Sequence, residues 1–339
     1  MSSDVYEELF RMYSIFRLDR VADSFRELLR AQFTPEEAEL ALKVGFKGGK
    51  LAELEQRTGL ERGRLKQMLE AMALKGTIWI DPGAEDPTYR TIGLAGPGLV
   101  ETGGWGNIKF PHSVRVLQAL HRFERDFALK WLPAVGAPVT RVWLTPAALP
   151  QDARPEENVA EMMRRAGPPW GVSTCSCRLP HWVADPGNHC RFPLETCLFS
   201  GEMARWGLER GMCREISWEG VEEILRSCNQ SGLVHTHDPG EFVCNCCNDC
   251  CVMLMGQYVT GARILRPSEF VPRFDRASCT ACGLCAQRCP VDALSVDDFP
   301  ILDEERCLGC GVCYPTCPTG AIGFVRRPAE PDKPAGGAR

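Results

Sequence analysis

The chain has no apolar run long enough to span a bilayer, and its first ten residues carry acid where a secretory leader would carry base. The expectation is a cytoplasmic protein without a membrane span. Neither sign of charge is in excess: 39 Lys and Arg stand against 44 Asp and Glu. Nothing global therefore selects nucleic acid as a partner. A dinucleotide fingerprint is missing too, since Gly93-Leu-Ala-Gly-Pro-Gly98 has the wrong order and ends on two successive breakers. No flavin or nicotinamide site is expected. Cysteine does not occur before Cys175, yet the chain holds 19. An odd total, crowded at spacings too tight for separate crosslinks, argues against a disulfide framework and for metal ligation. At 339 residues, 44% apolar and 24% charged, the composition is that of an ordinary globular protein of two or three domains.

The strongest signal is a repeat. Cys279-Thr-Ala-Cys-Gly-Leu-Cys-Ala-Gln-Arg-Cys-Pro recurs as Cys307-Leu-Gly-Cys-Gly-Val-Cys-Tyr-Pro-Thr-Cys-Pro, and both copies fit C-x2-C-x2-C-x3-C-P. This pattern resembles the bacterial two-cluster ferredoxins, over roughly residues 270–325. The resemblance implies two 4Fe-4S clusters, the fourth cysteine of each run serving the other cluster. One would take Cys279, Cys282, Cys285 and Cys317, the other Cys307, Cys310, Cys313 and Cys289. Zinc sites do not use this triple-plus-one order ending in Cys-Pro. Gly283 and Gly311, each after a second cysteine, leave room for backbone amides to approach cluster sulfurs.

Upstream lie Cys175, Cys177, Cys190 and Cys197, then Cys244, Cys246, Cys247, Cys250 and Cys251. The first four make one complete set and the second group a set with a thiol to spare; alternatively one centre bridges both segments. One or two further iron–sulfur clusters are expected, with a structural zinc as the competing reading, because Cys247-x2-Cys250 suits zinc by spacing. Cys175 and Cys177 can face one centre only if the chain bends between them. Cys246 with Cys250, and Cys247 with Cys251, would share faces if that segment were helical. The C-x3-C-x2-C of radical S-adenosylmethionine enzymes is absent, as is the Cys-Cys-Gly of heterodisulfide reductase subunits. Residues 194–207 and 217–226 read as amphipathic helices, the second capped by Ser217. Cys213 and Cys228 read as buried small hydrophobes, and His181, His189, His235 and His237 as surface or hydrogen-bonding groups rather than ligands.

The cysteine-free third alternates short helical patterns over 35–44, 50–58 and 61–75 with strand-like stretches at 77–80 and 88–92. Residues 34–94 resemble a winged helix-turn-helix domain. That resemblance would place Arg62, Arg64, Lys66 and Gln67 toward DNA; the same face serves equally as a solvated surface of a protein-docking module.

The fold class expected is thus α+β multidomain. Residues 1–100 form a winged-helix-like domain, 101–268 a helical Cys-rich iron–sulfur domain, 269–326 a two-cluster ferredoxin-like domain and 327–339 a disordered tail. The function expected is single-electron relay to or from a partner oxidoreductase. A redox- or iron-sensing transcription regulator and an iron–sulfur reductase with a substrate-binding upstream cluster are the alternatives.

Overall fold

The computed structural model describes residues 4–94, 98–106, 113–187, 190–237, 240 and 242–328. His189 and the tail from residue 329 lie outside them.

Two helices, Val5–Tyr13 and Ala22–Gln32, precede the elements expected at the N-terminus. The helix Pro35–Val44 starts where Thr34 and Glu37 cap each other's backbone reciprocally, with Pro35 in the first turn. Helices Leu51–Thr58 and Arg62–Leu74 follow, separated by the left-handed Gly59. Leu65, Leu69 and Met72 are buried on one face of the second. Strands Ile78–Ile80 and Thr88–Thr91 pair antiparallel, and a short strand, Gly49–Lys50, adds to the outer edge.

The middle of the chain departs from expectation. It is built on a five-stranded antiparallel sheet in the order 214–216, 170–174, 195–200, 242–246, 234–236. The helix expected over 194–207 is instead a strand, Glu195–Ser200, followed at Gly201 by the helix Gly201–Glu209. The error has a physical source. Five of the six strand residues are buried, so both faces are covered and no two-residue alternation marks the segment as extended. The helix Trp218–Ser231 does form, with the Ser217 hydroxyl accepting from Gly220 N–H at 3.3 Å. Among the described residues no helix is long and apolar enough to cross a membrane.

One apolar core runs from Leu9 and Phe25 through Trp79 and Trp105 to Phe199 and Phe242, so the N-terminal helices and the sheet share an interior. Trp79 stacks on Trp206 at 4.9 Å and Trp105 meets Phe199 edge-on at 4.6 Å. The C-terminal region pairs strand Phe270–Phe274 with Ile322–Arg326 and strand Leu294–Val296 with Pro300–Leu302. A single short helical turn closes each cysteine loop, Leu284–Gln287, which includes Cys285, in one repeat and Tyr314–Thr316, just after Cys313, in the other.

Candidate metal centres and an adjoining cavity

In the C-terminal region four thiols converge twice. Cys279, Cys282, Cys285 and Cys317 line one hollow, and Cys289, Cys307, Cys310 and Cys313 line another. Each hollow therefore takes three cysteines from one repeat and the last from the other. The backbone repeats as well: Ala293 N–H donates to Cys289 Sγ and Ala321 N–H to Cys317 Sγ, both at 3.2 Å. For Cys317 burial works upward, but the Thr319 hydroxyl and neighbouring amides outweigh it and hold the thiol below its ordinary value. A donor set of four thiols with amide hydrogen bonds suits a 4Fe-4S cubane.

The two hollows differ in their surroundings. Cys282 is exposed, whereas Cys307, Cys310 and Cys313 are buried. Gly283 and Gly311 both have left-handed backbones, with φ of 76° and 78°. A Cβ on Gly283 would meet nothing closer than 4.0 Å, but one on Gly311 would fall 2.6 Å from Thr145 Cγ2 and 2.8 Å from Leu144 Cδ1. The second loop is thus pressed onto residues 144–145, and Thr145 N–H donates to Cys310 O at 3.2 Å.

The nine upstream cysteines divide in a way their order in the chain does not suggest. Cys175 and Cys177 flank a turn between strand Trp170–Thr174 and helix Arg178–Ala184. Cys197 lies mid-strand, Cys244 and Cys246 are alternate residues of strand Phe242–Cys246, and Cys251 immediately precedes helix Val252–Thr260. The two-residue period of a strand puts Cys244 and Cys246 on one face. On the other face the Asn245 amide oxygen accepts from His235 Nδ1–H at 2.6 Å, and its amide nitrogen donates to Thr196 O. These six thiols close a ring of hydrogen-bonded neighbours: Cys175, Cys177, Cys251, Cys246, Cys244, Cys197 and back to Cys175. Cys251 Sγ lies 3.0 Å from Cys246 Sγ. The remaining three, Cys190, Cys247 and Cys250, gather with Asp249, their ligand atoms all within 4.8 Å of one another. Cys190 therefore does not join Cys175, Cys177 and Cys197. The pairs 246/250 and 247/251 are also not made, because residues 248–250 form a turn rather than a helix.

Hydrogen bonds from its neighbours lower some thiols sharply. Contact with Cys177 and Cys197 takes Cys175 well below its ordinary value, contact with Cys244 and Cys251 takes Cys246 to about 5, and contact with Cys247 and Cys250 takes Cys190 to about 4. The same contacts, with burial, push Cys177, Cys197, Cys244, Cys251 and Cys250 up, so each group pairs a thiolate, the ligating form, with protonated neighbours that metal would have to deprotonate. Arg178, fully buried, supplies the balancing cation. Burial opposes its charge, but the thiols of Cys175, Cys247 and Cys197 outweigh that and keep the guanidinium charged between the two groups. It donates to Asn245 O at 3.0 Å and to the Thr196 hydroxyl. Neither Arg178 nor Asp249 follows from cysteine spacing. Arg178 had a local signal in its position directly after Cys177; Asp249 had one in lying between Asn248 and Cys250.

Cys213 and Cys228 stand apart from both groups; burial pushes each thiol up to about 12. His235 is held by Asn245, and His237 by the Thr236 hydroxyl at 2.9 Å.

Above the ring opens a cavity of about 410 Å³. Its floor carries Cys175, Cys177, Cys244, Cys246 and Cys251, and its wall Phe16, Phe123, Phe127 and Trp131. A glycine fixes this floor: helix Leu99–Gly106 comes so close that a Cβ on Gly104 would sit 3.1 Å from Ser176 Cβ, between the two cysteines. Two acids also face the cavity. Burial pushes the Glu101 carboxyl up to about 7, and burial together with the nearby Cys175 pushes Glu124 well above the carboxylate range.

Residues 272–295 and again 300–323 match the 4Fe-4S binding domain family. The C-terminal region is accordingly a two-repeat 4Fe-4S binding domain, and with the upstream thiol groups it points to iron–sulfur electron transfer. No curated protein and no solved structure matches the chain.

Proposed function

We propose that the protein relays single electrons between a partner oxidoreductase and metal centres in its middle region. Cys279, Cys282, Cys285 and Cys317 hold one cubane, and Cys289, Cys307, Cys310 and Cys313 a second. The six-thiol ring and the Cys190, Cys247 and Cys250 group hold further iron–sulfur centres, the latter with Asp249 in reach as a non-thiol ligand. When bound, such clusters supply one-electron oxidation and reduction, which no side chain here can supply.

One observation carries the reading. A single buried apolar cluster contains Cys307 and Cys310 together with Cys246 and Cys251, packed through Val142, Val234 and Val312. Ligands of the inner ferredoxin site and members of the ring thus share one buried apolar interior. The third group joins the same junction: Asn248 donates to Pro290 O at 3.1 Å, beside Cys289. The exposed Cys282 leaves the first site as the surface at which a partner exchanges electrons.

The N-terminal elements support a winged-helix reading through their order and through the strand added at 49–50. Docking of a protein partner fits them better than DNA. Arg62 pairs with Glu55, Arg64 with Glu36 and Lys66 with Glu70, so the helix offers phosphate a face on which each base is matched by an acid. A second reading, an iron–sulfur reductase, is favoured by the cavity over the ring.

The test is electron paramagnetic resonance of the reconstituted chain during stepwise anaerobic reduction. Coupled spins between a ferredoxin cubane and a middle centre, lost on Cys246→Ala, are expected. Two isolated cubane signals, unchanged by that substitution, would refute the relay.

A further inference from the structure

The cavity holds a buried polar atom that the relay does not use. Glu124 is 4% exposed, and its Oε1 has no hydrogen-bond partner among the described residues. A buried oxygen left without a partner is costly, so it marks a place where something else completes the bond. The surroundings define what that is. No lysine or arginine lines the cavity, while two carboxyl groups and five thiols do, so an anion is excluded by charge. With no cation beside it, a carboxyl among aromatic walls is held as the neutral acid and offers an O–H donor.

The apolar wall has its own peculiarity. Residues Phe127–Trp131 form a single π-helical turn, which brings Phe127 and Trp131 into a stack at 4.4 Å and 13°. Such turns interrupt a helix at a cost and are concentrated at functional sites. Trp131 is anchored there by its indole N–H, which donates to Phe16 O and Arg17 O. The cavity, about 410 Å³ including the space over the ring that a cluster would take, pairs apolar walls with a few polar groups as small-molecule sites do.

We propose that this cavity binds a small uncharged organic molecule, flat and mainly apolar, whose carbonyl-type oxygen accepts a hydrogen bond from the Glu124 carboxyl beside the six-thiol ring. The inference rests on the relay reading only in making that ring a redox centre; the cavity itself stands on geometry. It turns the second reading into a definite one, with the ring as the terminus of electron flow and the bound molecule next to it.

The experiment is anaerobic isothermal titration calorimetry of the full reconstituted chain, with iron counted in the same sample. The probes are acetophenone, ethylbenzene, benzoate and benzylamine, which share a ring and differ in the polar group. Acetophenone should bind about tenfold more tightly than ethylbenzene, the worth of one buried hydrogen bond, and benzoate should not bind. Glu124→Leu should bring acetophenone down to the level of ethylbenzene. Val139→Trp, at the partly exposed rim, should block both neutral probes without disturbing the core. Preference for benzylamine or benzoate, or unchanged acetophenone binding in Val139→Trp, would overturn the proposal. A full iron complement without acetophenone binding would overturn it and leave the relay intact. Acetophenone binding by a chain with no iron in its middle region would support the cavity and overturn the relay.

Discussion

The two cysteine loops of the C-terminal region have the same spacing and the same amide contacts, yet opposite environments. The loop at 279–285 ends at solvent, with Cys282 exposed and Leu284 42% exposed. The loop at 307–313 is enclosed: Val312 is fully buried, Arg327 donates to Cys307 O at 2.7 Å and Ser268 to Gly309 O at 2.7 Å. A motif fixes which atoms are ligated, and packing fixes what each site can reach. One copy faces solvent and the other meets the interior of its own chain.

Removing a ligand on either side gives the largest effect. Cys310→Ala and Cys282→Ala should each cost about four irons per chain. Only Cys310→Ala should also stop reduction of the middle centres, whereas Cys282→Ala should slow exchange with an external donor and spare internal exchange; stopped-flow absorbance with iron analysis separates them. Next comes the buried side's cation. Arg178→Met leaves thiolates uncompensated and should cost about 3–5 kcal/mol, with iron lost from the middle region before the ferredoxin region on thermal unfolding under argon. Alanine at the paired glycines sharpens the contrast. Gly283→Ala should cost about 1 kcal/mol for its left-handed backbone, and Gly311→Ala a further 1–3 kcal/mol because its methyl group meets Leu144 and Thr145. Equal losses in urea unfolding would mean that the second loop is not held against 144–145.

The smallest effect is at the seam. Glu157, 4% exposed, takes Arg326 from the last strand and Arg154 at 2.7 Å. The hydrogen bond from Arg326, aided by Arg154, holds its carboxyl far below the usual range. Because the folded value is the lower one, the pair stabilises above the unfolded carboxylate value, about 4.3, and that contribution is lost as pH falls below it. Glu157→Gln should cost about 1–2 kcal/mol at neutral pH, since both arginines are partly exposed, and should flatten the acid limb of stability against pH.

What the sequence could reveal follows the same division between local and distant. The ferredoxin thiols group as their repeat implies because three of four ligands lie within seven residues. The helical patterns read over 35–44 and 61–75 form as Pro35–Val44 and Arg62–Leu74. The middle was not legible in this way. Cys244 and Cys246 sit in a strand buried on both faces, and Cys190 meets Cys247 across 57 positions, at 3.8 Å, through a sheet that no local pattern announces. Glu124 belongs to no motif; only the folded cavity singles it out.

The central claim is that the upstream thiols extend the ferredoxin centres with iron. The measurement that tests it most directly is iron, acid-labile sulfide and zinc per chain, on protein purified and reconstituted without oxygen. The account predicts well above eight irons, about twelve to sixteen, with matching sulfide and no zinc. About eight irons, with zinc in the middle region, would contradict it and make the upstream thiols structural.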